Sequence, residues 1–362
     1  MAYDLKGFKY DSTKFFCKCM KDQITELRVE RANIIQAEAM ARKKRPKLTS
    51  DGKLTILATD HPARRVTNVG DDQFCMANRL QYLGRVLRVI AAGEFDGVMG
   101  PTDIIEDLFI MNYLLRQAGG PSFLDNKVIL GCMNRGGLAG TVWEMDDRMT
   151  SFTAESIARL GLDGAKIMFR LDPENPDSLA TIDYCARAIT EVNSYGLPTF
   201  VEALPVKKEG GRYRTLKDAK ELARLAGVAS ALGDSSANLW LKLPYAENYE
   251  IVAESTTLPI LMLGGEARGD PTPTLAEFAA GMKLGGNVRG ALVGRNILYP
   301  GDDDPMAVAS AVHKIVHEGY TAEQAVEYLM QVRGKDMDLL HRYLPCECVG
   351  CCESGGSSRC CG

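Results

Sequence analysis

Eight short apolar, β-rich runs, spread through the middle of the chain, constrain its fold more than any other feature. They read LTILATD (54–60), FDGVMG (95–100), KVILGCM (127–133), GAKIMF (164–169), PTFVEAL (198–204), LWLKLP (239–244), PILMLGG (259–265) and RGALVGR (289–295). Helical patterns lie between them, over 74–92, 103–118, 153–160, 177–195, 216–231, 274–284 and 305–317. In 177–195, Leu179, Ile182, Ala186, Ile189 and Val192 line one face, Asp177 stands at the expected cap and Gly196 at the expected stop. Alternation of strand and helix predicts a parallel sheet, and a count of eight predicts a closed (β/α)8 barrel. A doubly wound open sheet usually carries a glycine-rich turn after its first strand, and LATDHPARR has none. A leading helix is expected over 22–43 with Asp22 near its cap. The chain thus divides into an N-terminal helical extension (1–50), the barrel (51–318), C-terminal helices (319–345) and a cysteine-rich tail (346–362).

Composition narrows the function. The chain is 362 residues long, 46% hydrophobic and 25% charged, as in ordinary globular proteins. Its net charge of -4 argues against a nucleic-acid footprint, which needs a basic stripe. No apolar run reaches the roughly 18 residues of a membrane span, and MAYDLKGFKYDS is too polar for a secretion signal. A cytoplasmic enzyme without membrane or nucleic-acid partners is expected. Of the eleven cysteines, six crowd the tail CECVGCCESGGSSRCCG. Cys346, Cys348, Cys351 and Cys352 have a spacing that suits a soft metal, but no histidine follows them, and the tail is expected to take no part in the main chemistry.

A barrel of this kind carries its active site where the strands end, and alternation decides which side chains point inward. Asp60 shares a face with Leu54, Ile56 and Ala58; Lys166 with Gly164 and Met168; Glu202 with Phe200; Lys242 with Trp240. Two acids and two bases therefore converge from four strands. Lys166 and Lys242 come from the fourth and sixth strands, and alternate strands contribute to one layer. A neighbouring cation and a low-dielectric wall both disfavour a charged lysine, and a neutral amine is a nucleophile able to form an imine with a ketone. The last two strands end in LMLGGEARGD and ALVGRNILYP, where Gly264, Gly265 and Gly294 let backbone N–H groups approach an anion and Arg295 adds a fork of donors. Loops after strands seven and eight are the frequent phosphate site of this fold. His61, Arg64, Asn134 and Arg170 are the further candidates for substrate contact, His61 for proton transfer and Asn134 for substrate hydroxyls.

These residues resemble the bacterial and archaeal class I aldolases, among them tagatose-bisphosphate and class I fructose-bisphosphate aldolases. The resemblance covers about residues 50–318 and rests on LATDHPARR, GLDGAKIMFRLDPENP, FVEALP, LWLKLPY and ALVGRNI in their order along the strands. It implies a lyase of the (β/α)8 fold in which Lys242 forms the Schiff base and Lys166 is its cationic neighbour. Asp60 and Glu202 would hold hydroxyls or move protons, and Arg295 with its glycines would grip a phosphate. It also implies dihydroxyacetone phosphate as a product. Two positions depart from the pattern: Asn134 stands near an expected carboxylate of the tagatose-type enzymes, and His61 replaces a more usual glutamine. The chain is also similar to a subgroup linked to myo-inositol breakdown, which implies 2-deoxy-5-keto-gluconate 6-phosphate as a further candidate substrate.

Two other functions fit the same residues: a sugar-phosphate isomerase or epimerase, and a non-catalytic barrel that keeps only the phosphate grip. A metal-dependent aldolase would need clustered histidines. The chain has four, His61, His313, His317 and His341, three of them after the last strand, so no metal or other cofactor is expected. Helical extensions of this kind often build subunit interfaces, and a homo-oligomer is expected.

Overall fold

Runs of Val, Ile, Leu and Met only a few residues long cannot cover both of their faces by themselves, so they pair with one another and bury the product under helices. The computed structural model describes residues 2–345. Its strands are β1 (Leu54–Ala58), β2 (Gly97–Gly100), β3 (Val128–Cys132), β4 (Gly164–Leu171), β5 (Thr199–Glu209), β6 (Arg212–Thr215), β7 (Leu239–Pro244), β8 (Ile260–Leu263) and β9 (Val288–Val293). All but β6 pair in parallel in the cyclic order β1-β2-β3-β4-β5-β7-β8-β9, and β9 returns to β1 through Leu54 opposite Gly290. This is the expected (β/α)8 barrel. β6 lies outside the ring, antiparallel to the far end of β5, with Val206 opposite Thr215.

The helices are α1 (Lys18–Glu30), α2 (Ile34–Ala41), α3 (Arg79–Ala92), α4 (Thr102–Gln117), α5 (Ala154–Arg159), α6 (Asp177–Ser194), α7 (Ala219–Ser230), α8 (Tyr249–Glu254), α9 (Thr272–Lys283), α10 (Arg295–Leu298), α11 (Pro305–Glu318) and α12 (Ala322–Val332). Three expectations need correction. The leading helix is two helices, broken at Arg31, because α2 turns to dock on α4, where Glu38 accepts from Asn112 at 2.6 Å and from Arg116 at 3.0 Å. Asp22 caps nothing; it lies inside α1 and pairs with Lys18 at 2.5 Å. In α6 the cap position is Pro176, Asn175 Oδ1 accepts from the Asp177 amide, and the buried face runs through Thr181, Cys185 and Ile189. Leu179 is consequently 72% exposed.

Side chains alternate as the strand period requires. Inside the barrel, Leu54, Ile56, Ala58, Met99, Val128, Leu130, Cys132, Phe200, Leu261 and Leu292 form one apolar cluster, with Leu48 and Trp240 against it. Phe200 and Trp240 stack with ring centroids 5.5 Å apart. The Leu, Ile, Val, Met and Phe side chains among them contribute roughly 1.5–3 kcal/mol each on burial, and the whole cluster fills the barrel as a packed plug rather than a pore. The outward faces join the helices in a second, larger cluster. The N-terminal extension is tied to the C-terminal one: Asp303 accepts from Tyr3 at 2.8 Å and from Arg333 at 2.7 Å. The cysteine-rich tail lies outside the described residues, and the metal spacing noted there with it.

Candidate active site

Above the apolar plug, the same inward faces turn polar, and four side chains form a single chain of alternating charge. Lys166 Nζ donates to Asp60 Oδ2 at 2.9 Å and pairs with Glu202 Oε2 at 2.5 Å. The other oxygen of Glu202, Oε1, accepts from Lys242 Nζ at 2.8 Å. Glu202 and Lys242 are register partners on β5 and β7, whereas Lys166 on β4 is opposite Phe200, one inward position earlier. Asp60, Glu202 and Lys242 are buried at 3%, 6% and 4% exposure, and Lys166 is wholly enclosed.

The two lysines are not equivalent. Burial favours the neutral form of both, but Lys166 has two carboxylates to hold its proton, Asp60 and Glu202, and its pKa is raised above the ordinary lysine value. Burial dominates at Lys242, where Glu202 opposes it and the charge of Lys166 adds to it, and the pKa is lowered. The carboxylates respond in turn. Burial would raise both, yet Lys166 followed by Arg135 draws Asp60 well below its usual range, and Lys166 with Lys242 does the same to Glu202. Lys166 is thus a fixed ammonium, and Lys242 the amine that gives up its proton more readily.

A cavity of about 930 Å³ opens at this end of the barrel. Lys242, Glu202 and Asp60 line it, with His61, Arg64, Arg170, Gly264, Gly265, Gly294 and Arg295; Lys166 lies behind its wall. Asn134 does not reach it, contrary to the sequence expectation. Its side chain is consumed in joining strand ends: Nδ2 donates to the Met168 carbonyl at 2.6 Å, and Oδ1 accepts from the Met168 amide at 2.9 Å and from Arg64 at 3.2 Å. Arg64 and Arg170 do reach the cavity, each held by an acid in the loop after β3, Asp147 from behind the wall and Glu144 from the wall itself. Arg64 donates to Asp147 Oδ2 at 2.7 Å and Arg170 to Glu144 Oε1 at 2.8 Å. Those acids sit in TVWEMDDRMT, where nothing but their charge distinguishes them in sequence.

The glycines have two duties. A Cβ on Gly294 would stand 2.4 Å from the His61 ring, and one on Gly264 would stand 2.3 Å from the side chain of Asn296. Both positions must therefore be bare to let those side chains pack, and both leave backbone on the cavity wall. His61 is half-buried; burial, then the charge of Arg295, lowers its pKa to about 3, so its imidazole is neutral, and Nδ1 has no partner. Arg295 opens α10 with Nε unpartnered, and its nearest acid, Glu266, is 3.9 Å away and 85% exposed. Tyr245 packs on Tyr249 with centroids 5.3 Å apart.

Sequence reasoning missed the β5–β6 hairpin, which brings Arg212, Arg214 and Lys217 to the cavity. Its signal is the Gly-Gly pair in VKKEGGRYRT, a two-residue turn between polar segments. With these, the cavity carries eight basic side chains against four carboxylates in a chain whose net charge is -4. Such a local excess attracts and orients anions.

Fold and cavity together define a (β/α)8 barrel with a predominantly basic mouth and, on its wall, a lysine whose pKa is lowered by burial. The chain belongs to the Cgl0159-like family, whose model matches residues 52–316. The crystal structure of Cgl0159 from Corynebacterium glutamicum is similar over 84% of this chain and 98% of that one, with 35% identity and a TM-score of 0.77. An archaeal fructose-1,6-bisphosphate aldolase, solved with its catalytic lysine bound to a carbinolamine intermediate, matches at TM-score 0.51 and 20% identity over 78% of this chain and 99% of that one, a likeness of fold. An uncharacterised aldolase of Saccharolobus solfataricus is 30% identical over 144 residues, 38% of this chain and 48% of that protein. The chain spans about half the length of the curated relatives it matches. No helix among the described residues is long and apolar enough to cross a membrane.

Proposed function

We propose that this protein is a class I aldolase that cleaves a phosphorylated keto-sugar or keto-sugar acid through an imine on Lys242, releasing dihydroxyacetone phosphate. The observation that carries the reading is the position of Lys242: on the wall of a cationic cavity, with a lowered pKa and one carboxylate 2.8 Å away. The names of its curated relatives and the sequence resemblance to class I aldolases support the same chemistry.

In the proposed reaction the neutral Lys242 amine attacks the substrate ketone. The tetrahedral carbinolamine takes up a proton and loses water, leaving an iminium ion. Glu202, already bonded to Nζ, carries the protons that this exchange moves. The contacts of Asp60 with Lys166, Arg64 and Arg135 all run through Oδ2. Its other oxygen takes the proton from the hydroxyl beyond the scissile bond. That bond then breaks, its electron pair neutralises the iminium to an enamine, and an aldehyde departs. Protonation of the enamine carbon and hydrolysis free the ketone product and Lys242. The iminium is the electron sink, so the carbon–carbon step calls on no metal. Lys166 acts from behind by keeping Asp60 and Glu202 ionised.

The basic excess suits a substrate with a phosphate, gripped by Arg295 and the backbone at Gly264, Gly265 and Gly294. Arg64, Arg170 and His61 supply the remaining polar contacts. The candidates are 2-deoxy-5-keto-gluconate 6-phosphate, tagatose bisphosphate and fructose bisphosphate. Borohydride reduction in the presence of dihydroxyacetone phosphate tests the reading. The protein should lose activity and gain the mass of one three-carbon phosphate. No gain in mass, with the substrate still consumed, would point instead to isomerase or epimerase chemistry.

A further inference from the structure

The opposite end of the barrel holds two of the late histidines. His313 and His317 stand four residues apart on α11, the spacing that puts two side chains on one helical face, and their ring centroids are 4.3 Å apart. Facing them is Asp96, at the entry to β2. One donor atom from each of Asp96, His313 and His317 lies within 4.8 Å of the others. Thr55 of β1 stands inside the group, its Oγ1 3.0 Å from Asp96 Oδ2 and 2.9 Å from His313 Nδ1.

We propose that Asp96, His313 and His317 form a binding site for a borderline divalent transition-metal ion such as Zn²⁺. Two imidazoles and one carboxylate are the donors such an ion takes, with water or the Thr55 hydroxyl completing the set. Zinc holds its ligands at about 2.0–2.2 Å, which sets tetrahedral donors roughly 3.4 Å apart; Asp96 Oδ2 and His317 Nε2, now 2.8 Å apart across a shared proton, would part slightly and exchange that proton for the ion. What distinguishes the cluster from a chance meeting of polar residues is its outer layer. A metal-bound histidine commonly donates its second ring nitrogen to a carboxylate, and a bound carboxylate is itself hydrogen-bonded. His317 Nε2 is 2.8 Å from Asp96 while its Nδ1 is 2.8 Å from Asp51 Oδ2. Asp96 Oδ1 accepts from Arg45 at 2.6 Å. Both supports are in place. Arg45, Lys127 and Lys314 are the cations around the site, and Asp51, Asp96 and Glu94 balance them.

The site joins the segment before β1, the starts of β1 and β2, and α11. It lies at the N-terminal face of the barrel, where this fold places stability rather than catalysis. An ion there fastens the base and takes no part in the reaction at the mouth.

The test is calorimetric titration of the full-length chain with zinc sulfate, after its accessible thiols have been alkylated with iodoacetamide so that the tail cysteines cannot take the ion. One zinc per chain is expected, with a rise in melting temperature. His313→Ala should abolish both. Asp51→Asn, at a partly exposed position, should keep the fold by circular dichroism and weaken binding by about 10- to 100-fold. An anomalous peak in zinc-soaked crystals should fall among Asp96, His313 and His317. No zinc uptake, a peak only elsewhere, or unchanged binding by folded Asp51→Asn would overturn the assignment.

Discussion

The two ends of the barrel are built from the same kinds of side chain and differ in how their charges are matched. At the base, acids and bases meet pair by pair. Asp96 is held by Arg45 at 2.6 Å, and Asp163 by Arg42 at 2.9 Å. At the mouth, basic side chains outnumber acidic ones around an open cavity, and Arg295 has only the exposed Glu266, 3.9 Å away. Matched charges hold a fold together; an unmatched excess beside a cavity draws in a ligand. The mouth repeats the contrast on a smaller scale. Lys166 has two carboxylates and no access to the cavity, whereas Lys242 has one carboxylate and lines it.

Breaking that second contrast should give the largest effects. Lys242→Ala is expected to lower kcat on the order of 10⁴- to 10⁶-fold, the scale seen when a covalent nucleophile is removed, with folding intact by circular dichroism. A loss below tenfold would return Lys242 to a binding role. Lys166→Met should act chiefly on stability. It leaves Asp60 and Glu202 buried without their shared cation, and breaking a buried pair costs about 3–5 kcal/mol. Urea unfolding reads this directly, and a loss under about 1 kcal/mol would contradict the enclosed ammonium.

Arg295→Met tests the unmatched excess itself. A charged hydrogen bond contributes about 1.5–3 kcal/mol, so KM for the phosphorylated substrate should rise roughly 10- to 150-fold. The unphosphorylated analogue should be little affected. A subtler prediction concerns pH. Burial lowers the pKa of Lys242, Glu202 raises it against that, and Lys166 lowers it further. Glu202→Gln removes the opposing influence, so the pKa should fall and the rise of imine formation with pH should move to lower pH. The rate of borohydride inactivation across pH reads it, and a move to higher pH would show that Glu202 is not the group holding the proton on Lys242.

Much of this was legible in the sequence because a parallel barrel leaves a simple signature: each strand is an apolar run, and its alternation puts Asp60, Lys166, Glu202 and Lys242 on the inward faces. What was not legible depends on contacts across the chain. Asn134 looks like a strand-end polar residue, but only the neighbouring Met168 backbone shows that its amide is already spent. Nothing in RAN (31–33) breaks a helix; the docking of Glu38 on α4 does. Lys166 and Lys242 look interchangeable until the carboxylates around each are counted. Asp96, His313 and His317 are 217 and 4 residues apart, separations that spacing alone does not connect.

The most direct test is to locate the borohydride-trapped group by peptide mapping. Protein reduced with dihydroxyacetone phosphate, digested and sequenced by mass spectrometry, should carry the three-carbon phosphate on the peptide containing Lys242 and leave the Lys166 peptide unmodified. A label on Lys166, or on neither lysine, would contradict the account.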